Sequence, residues 1–125
     1  MTVLVDTSVL IDVLRGDARA TELLERQRRR APLHASEITR LEVLAGMRAK
    51  EEQPTRLLLS ALMWHPVDEE IAERAGQLGR EWLPSHSGMD GADLAIAATA
   101  LMLEADLLTR NVRHFPMFPG LAAPY

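Results

Sequence analysis

The first fourteen residues, MTVLVDTSVLIDVL (1–14), contain an apolar strand pattern that ends at a carboxylate and passes directly into a helix pattern. Residues 2–5 are mostly apolar and rich in valine, which is typical of a buried parallel strand. Asp6 ends this run, and Thr7 or Ser8 can cap the helix that follows. Repetition of this strand-then-helix unit would give an α/β fold.

The rest of the chain alternates in the same way. Caps, proline breaks and apolar spacing predict helices from Asp17 to about 30, from Ser36 to about 50, at 55–64, from Asp68 to before Pro84, and at 90–104, with short strands at 33–35, 65–67 and 106–109. We therefore expect one α/β domain over residues 1–125, with a mainly parallel central sheet flanked by helices on both faces. In such folds, sites form outside the carboxyl ends of the strands.

Composition restricts the class of protein. The chain has 125 residues, 47% of them apolar and 26% charged, which is ordinary for a globular domain. It has no cysteine, which excludes disulfides and thiolate zinc sites. The apolar start lacks a basic segment and is interrupted by Asp6 and Asp12, so it does not resemble a secretion signal. No stretch reaches the roughly 18 uncharged apolar residues of a membrane helix, and we expect a cytoplasmic protein.

The net charge is −4, from 14 basic and 18 acidic side chains. This balance disfavours a protein that binds nucleic acid mainly through its phosphates, but it allows a nuclease whose metal site is built from carboxylates. One basic group, Arg26 with Arg28 to Arg30, is either a local patch or a helix end whose cations complement the dipole.

The helix predicted at 36–50 carries Ile38, Leu41 and Ala45 at helical spacing. On a wheel of about 100° per residue, Glu42 lies within about 60° of Ile38 and Ala45. Glu42 therefore borders the predicted apolar stripe, where a carboxylate needs a partner. An arginine nearby would be the structural explanation.

Three further acids also have structural explanations when taken singly. Asp6 could cap the first helix, and Asp90 could cap the helix on which Asp93 complements the dipole. Together with Glu42, however, they form a set of carboxylates with few predicted cationic partners. Clustered carboxylates repel one another unless a cation neutralises them, and oxygen-only ligands suit Mg²⁺ or Mn²⁺.

The histidines have no metal-ligand spacing. His34 and His65 are interpreted as structural, and His86 and His114 as loop residues. Neither a nucleophile-elbow motif nor a glycine-rich phosphate or dinucleotide loop is present. Zinc hydrolases, kinases and dehydrogenases are therefore unsupported.

Four segments together resemble the VapC toxins of the PIN-domain family. They are VLVDTSVLID (3–12), ASEITRLEVLAG (35–46), ADLAIAATA (92–100) and LLTRNVRHF (107–115), in the family's order and spacing over nearly the whole chain. The resemblance implies a single PIN domain with a PIN-like α/β fold. It also implies that Asp6, Glu42 and Asp93 form the catalytic metal-binding core.

The chain departs from the family at the fourth acidic position, where Asn111 stands in place of the usual aspartate. A neutral amide would hold a metal less strongly, so the number of ions, one or two, stays open. Asp90 has the spacing to supplement the metal ligands. Thr7 or Ser8 could orient Asp6 or a bound water.

The resemblance further implies an endoribonuclease that cleaves structured RNA, often tRNA, with Mg²⁺ or Mn²⁺. Such proteins are usually homodimers inhibited by a VapB-like antitoxin. The antitoxin's C-terminal segment lies along a groove of the toxin and can place a basic residue among the acids. The apolar helix predicted at 57–64 is a candidate for this contact, with burial in the core as the alternative.

Two other functions remain as alternatives. A catalytically inactive PIN-fold module that binds RNA or protein would be compatible with Asn111, although Asp6, Glu42 and Asp93 are all present. A phosphatase or dehalogenase could use Asp6 as a nucleophile. Those phosphatases normally carry a second acid two residues later, where this chain has Ser8.

Overall fold

The computed structural model describes all 125 residues and consists of a four-stranded sheet and six α-helices. In chain order the elements are β1 Val3–Val5, α1 Thr7–Leu14, α2 Ala18–Arg28, β2 Leu33–Ser36, α3 Glu37–Ala45, α4 Glu52–Ser60, β3 Leu62–His65, α5 Glu69–Trp82, α6 Gly91–Met102 and β4 Asp106–Leu108. Short 3₁₀ turns lie at Ala49–Glu51 and Val112–His114. None of the helices combines the length and the apolar character that crossing a bilayer requires.

All strand pairs are parallel, in the order β3-β2-β1-β4. The chain moves outward from β1 through β2 to β3, and then β4 joins the opposite side of β1. Leu4 is aligned with His34 on one side and with Leu107 on the other. The strand order thus reverses between β1 and β4, and in open α/β sheets ligands bind at such a reversal, outside the carboxyl ends of the strands. The predicted α/β fold with a parallel sheet is confirmed.

Helices cover both faces of the sheet. Val3 and Val5 contribute to one apolar cluster and Leu4 to the other, and all three are almost completely buried. The first cluster packs β1 and β2 against α1, α2 and α4, and the second packs β1 and β4 against α5 and α6. Because both faces are covered, β1 is apolar along its whole length rather than alternating. That uninterrupted run predicted the strand correctly.

The prediction for 36–50 was wrong in its end and in its buried face. Helix α3 ends at Ala45, and its fully buried residues are Thr39 and Val43, whereas Leu41 is 59% exposed. The stripe was placed by counting only apolar residues. Thr39 points inward because its hydroxyl finds a buried partner in Thr7, which a count of apolar positions does not include.

The boundary between the helix predicted at 55–64 and the strand predicted at 65–67 was also wrong. Helix α4 begins earlier and ends at Ser60, and the next residues form β3, with Leu62 aligned to Leu33 of β2. The run appears apolar all round because it joins the end of a helix to a strand. Short apolar segments of this kind fit either structure.

Candidate active site

Asp6 directly follows the carboxyl end of β1, next to β4, at the point where the strand order reverses. The residue is 3% exposed, and its carboxylate Oδ2 accepts hydrogen bonds from Ser8 Oγ and from Thr109 Oγ1, both at 2.7 Å. Asp6 occupies the N-cap position of α1, but its side chain makes no capping hydrogen bond. The capping explanation is therefore wrong for this carboxylate, which is instead held by two hydroxyl groups.

Thr109 and Ser8 connect the ends of β4 and β1. Thr109 is completely buried, and its Oγ1 also accepts the backbone N–H of Asn111 at 2.9 Å. Ser8 Oγ accepts the backbone N–H of Arg110 at 3.1 Å. Each hydroxyl thus donates its proton to Asp6 while accepting from the loop after β4. The loop and the carboxylate are fixed relative to each other.

Glu42 is held in the same manner from the other side of α1. Thr7 Oγ1 donates to Glu42 Oε1 at 2.7 Å and lies 2.9 Å from Thr39 Oγ1. A hydroxyl carries one proton. Thr7 directs that proton to its two acceptors, the shorter contact being to the carboxylate and the longer to Thr39 Oγ1. Neither Thr7 nor Ser8 leaves its hydroxyl free, because each orients one acid.

Asp93 lies in the first turn of α6 and is 9% exposed. Asp90 Oδ1 accepts the Asp93 backbone N–H at 2.9 Å, and the Asp90 N–H donates to Asp93 Oδ2 at 3.2 Å, so the two residues form a reciprocal capping box. Asp90 is thus a helix cap, as one of its two interpretations predicted. His114 Nδ1 lies 3.1 Å from Asp93 Oδ2.

Burial raises the pKa of Asp93 to about 6, and the nearby charge of Asp90 adds to this rise. The Asp90 N–H and His114 act in the opposite direction. Burial prevails because the carboxylate has little solvent around it. A positive charge placed next to Asp93 would favour its ionised form.

The acids share a pattern in how their oxygens are used. Oδ2 of Asp6, Oε1 of Glu42 and Oδ2 of Asp93 each have a protein hydrogen-bond partner, while the second oxygen of each has none and is not sealed from solvent. No three of the chain's His, Asp or Glu side chains converge closely enough to enclose a metal ion by themselves. Magnesium does not need such a cage, because it commonly binds one or two carboxylates and keeps several waters. The donor set fits a divalent ion of this kind.

Asn111 does not contribute a side-chain contact. It is exposed at the start of the 3₁₀ turn Val112–His114, and only its backbone takes part in hydrogen bonds, to Thr109 and to the N–H of His114. The turn itself directs His114 toward Asp93. The structure thus places a histidine, interpreted from sequence as a loop residue, against an acid of the site.

Sequence reasoning missed Thr39, Thr109 and His114. Thr109 belongs to the segment LLTRNVRHF, which was singled out for its resemblance, but nothing marked its hydroxyl as the support of Asp6. Asp6 and Thr109 are 103 residues apart in the sequence and meet only because β1 and β4 are neighbours.

Comparison with known proteins agrees with the fold and the motifs. Residues 3–118 match the family model of the PIN domain. Ribonuclease VapC19 of Mycobacterium tuberculosis is 47% identical over 98% of this chain and 98% of its own length, and Ribonuclease VapC10 of the same organism is 40% identical over 98% and 92%. A toxin–antitoxin complex from Klebsiella pneumoniae contains a chain with a TM-score of 0.81 and 32% identity, covering 99% of this chain and 98% of that one.

Two independent lines thus meet in one family. The parallel sheet with acids at the reversal of its strand order has the PIN architecture, and the sequence is related over nearly its full length to VapC proteins. The chain belongs to the PIN-domain family and, within it, to the VapC proteins.

Proposed function

We propose that this protein is the toxin of a toxin–antitoxin pair and acts as a divalent-metal-dependent endoribonuclease. The observation that carries the proposal is the state of Asp6, a buried carboxylate fixed by two hydroxyl groups with its second oxygen left open. A carboxylate used only for structure would have both oxygens bound or would cap the helix at whose start it lies. The names of the relatives, which are ribonucleases, supply the reaction class.

The proposed ligands of the ion are Asp6 and Asp93, with Glu42 completing the site and Asp90 available through its second oxygen. The ion is Mg²⁺ or Mn²⁺, which when bound would polarise the scissile phosphate and stabilise the charge that develops there. The chain's own hydroxyls prevent Asp6 and Glu42 from rotating. Donors set in advance of the reaction need no reorganisation during it.

The proposed substrate is RNA, and structured RNA such as tRNA in particular. An acidic site repels a polyanion in the absence of a cation, so substrate and ion are expected to bind together. The open oxygens of Glu42 and Asp93 face no protein donor, and each can accept a hydrogen bond from water. A water molecule held this way would be available to attack the phosphate.

An antitoxin of the VapB kind is the proposed partner, by analogy with the toxin–antitoxin complex that the chain resembles. An apolar groove of about 280 Å³ runs between α1, α2 and α4. Leu24, Leu58 and Leu62 form its floor, and Leu57, which is 74% exposed, forms part of its rim. A segment with apolar side chains would cover Leu57, and a cation from the same segment could pair with Asp6 and Asp93 in place of the ion.

The test is cleavage of RNA by antitoxin-free protein and its Asp→Asn variants. Asp6→Asn or Asp93→Asn should abolish cleavage without unfolding the protein, because the change is nearly isosteric, and excess chelator should do the same to the unaltered protein. Asp106→Asn is the matched control, because Asp106 is exposed at the amino end of β4, whereas the acids lie at the carboxyl ends of the strands. Full activity of either site variant, or in chelator, would exclude the proposed mechanism.

A second candidate function is an inactive PIN-fold module that binds RNA or protein, and the neutral Asn111 is the observation that favours it. The same assay separates the two. Binding of RNA by the unaltered protein without cleavage at any Mg²⁺ or Mn²⁺ concentration would support the module.

A further inference from the structure

Four side chains from distant parts of the chain meet beside the candidate active site. The ring of Tyr125 lies under two guanidinium groups, 4.7 Å from that of Arg110 and 5.5 Å from that of Arg19, measured to the ring centroid. Its hydroxyl donates to Asp12 Oδ2 at 2.8 Å, and Arg110 Nη1 lies 3.4 Å from the same oxygen. Both cation–ring distances are within the range of cation–π attraction.

Tyr125 is firmly held in this arrangement. Its ring packs at the border of the apolar cluster that contains Val9 and Leu10 of α1. Burial raises the pKa of Tyr125 to about 12, and the hydrogen bond to Asp12 contributes to the rise. The hydroxyl therefore keeps its proton and remains a donor. The tail after β4 is anchored on α1 by this residue.

The arrangement is connected to the site through Arg110. The backbone N–H of Arg110 donates to Ser8 Oγ, and that hydroxyl donates to Asp6 Oδ2. Asp12 is four residues after Ser8, one turn further along α1 on the same face. The backbone of Arg110 is thus fixed next to Asp6, and its side chain extends about one helical turn, roughly 5 Å, away from the acids.

Arg110 retains binding capacity in this position. A guanidinium has five N–H donors, and only one contact, the long one to Asp12, is made to a carboxylate. The side chain is 36% exposed. Arg19, by comparison, is already engaged by Asp17 through two of its nitrogens. Arg110 is therefore the guanidinium of this cluster that is free to bind a phosphate, which it can do with two parallel N–H donors.

We propose that Arg110 binds an RNA phosphate adjacent to the cleaved bond and that Tyr125 is a positioning residue that holds the Arg110 guanidinium ready for it. This inference rests on the proposed ribonuclease function. Phosphate contacts fix the register of a nucleic acid on a protein, and a cation one helical turn from Asp6 would set which phosphodiester reaches the acids. The part of the chain that matches the PIN-domain family model ends at residue 118, so Tyr125 lies outside the matched region.

Arg110 is tested by binding a fluorescein-labelled single-stranded RNA to the Asp6→Asn protein, without divalent ions, over a series of salt concentrations. Arg110→Ala in that background should weaken binding and reduce the slope of log Kd against log salt by about 0.7, the value for one phosphate contact. Arg74→Ala is the matched control, because it removes the same charge from an exposed position on α5. An unchanged slope for Arg110→Ala would overturn the proposal.

Tyr125 is tested in the same assay with Tyr125→Leu, which keeps an apolar side chain at the core border and removes the ring and the hydroxyl. The phosphate contact would survive but Arg110 would have to be ordered on binding, so Kd should rise roughly three- to ten-fold with the salt slope retained. Tyr125→Phe keeps the ring and should recover most of this loss. In the cleavage-competent protein, the change should fall on KM rather than on kcat.

The outcomes separate the two proposals. A Tyr125→Leu protein that is folded by circular dichroism and has the parent Kd would overturn the positioning role. If Tyr125→Leu does not fold, Arg110→Lys decides the same point, because it keeps the charge but not the planar fork that the Tyr125 ring holds; parent affinity of Arg110→Lys would overturn the positioning role. If the unaltered protein does not cleave RNA and the Asp6→Asn protein does not bind it, the proposed ribonuclease function fails and this inference fails with it. If the unaltered protein cleaves RNA but the Arg110 and Tyr125 variants bind as tightly as the Asp6→Asn protein, this inference alone is refuted.

Discussion

Replacing Thr109 by valine would remove one of the two hydroxyl groups that hold Asp6, with almost no change in side-chain shape. Thr109 is completely buried, and its Oγ1 donates to Asp6 Oδ2 at 2.7 Å. A hydrogen bond to a charged group contributes about 1.5–3 kcal/mol. Ser8 still donates to the same oxygen, but the Asn111 N–H also loses its acceptor. We therefore expect a loss of about 2 kcal/mol in the free energy of unfolding. For a chain of this size that corresponds to a fall in Tm of roughly 6–10 °C.

The same change should reduce RNA cleavage. Residues that orient a metal ligand typically affect metal affinity or activity by about 10- to 100-fold, and Thr109→Val should fall in that range. The assays are thermal unfolding by circular dichroism and cleavage of RNA in Mg²⁺. Thr99→Val is the matched control, since Thr99 is equally buried but its hydroxyl only donates back to the Ala95 carbonyl within α6. That variant should lose less than about 1 kcal/mol and keep its activity.

A double-mutant cycle isolates the contact between Thr109 and Asp6. In the Asp6→Asn background the hydrogen bond is no longer charge-assisted, so Thr109→Val should cost about 1 kcal/mol less than it does in the unaltered protein. Equal costs in both backgrounds, or full RNase activity of Thr109→Val, would refute the reasoning that this hydroxyl orients the carboxylate.

Three further predictions concern the acids and the partner. Burial raises the pKa of Asp93 in the folded protein to about 6, so the free energy of unfolding should fall by up to about 3 kcal/mol as pH rises from about 4 to 6 and stay low above that. Urea unfolding at pH 7 should therefore find Asp93→Asn more stable than the unaltered protein. Equal stability of the two proteins would contradict the raised pKa. Asn111→Asp should tighten Mn²⁺ binding measured by calorimetry, and unchanged affinity and stoichiometry would count against a weakened second ion site. Truncating the C-terminal segment of the antitoxin should restore RNase activity, and Leu57→Asp, in the groove of the toxin, should act in the same direction; full inhibition by the truncated antitoxin would place the contact elsewhere.

The parts of the fold that were predicted from sequence are those whose local signals agree with their packing. Helix α6 has a capping box at its start and is apolar apart from Asp93 and Thr99, and it was predicted to within two residues at its C-terminal end. Strand β1 was recognised because it is buried on both faces. Helix α4 and strand β3 were not separated, because the break at Ala61 carries neither glycine nor proline.

The parts of the site that sequence reasoning missed are not carboxylates, and they depend on contacts between elements that lie far apart in the sequence. Thr39, Thr109 and His114 belong to common residue types and carry no spacing of their own. Their roles appear only when β4 lies beside β1 and α3 beside α1, which brings Thr109 to Asp6 and Thr39 to the Thr7 hydroxyl. His114 reaches Asp93 from the 3₁₀ turn after β4. The acids could be chosen in advance because unpaired carboxylates at element starts or beside an apolar stripe demand an explanation, and because they fall in the motifs that resemble the PIN-domain family; a threonine gives no such signal.

The way these acids are held bears on how the proposed ion would be bound. Several carboxylates brought fully together would repel one another, and the raised pKa of Asp93 shows the cost of a buried acid near Asp90. Here each acid uses one oxygen for a neutral donor of the protein and leaves the other toward solvent. Such a site offers an ion only part of its ligands. The remaining positions would be filled by water and by a phosphate of the RNA, so that ion and substrate strengthen each other's binding. Affinity for Mn²⁺ should then be higher in the presence of an uncleavable RNA than without it, a coupling that a closed cage of protein ligands would not produce.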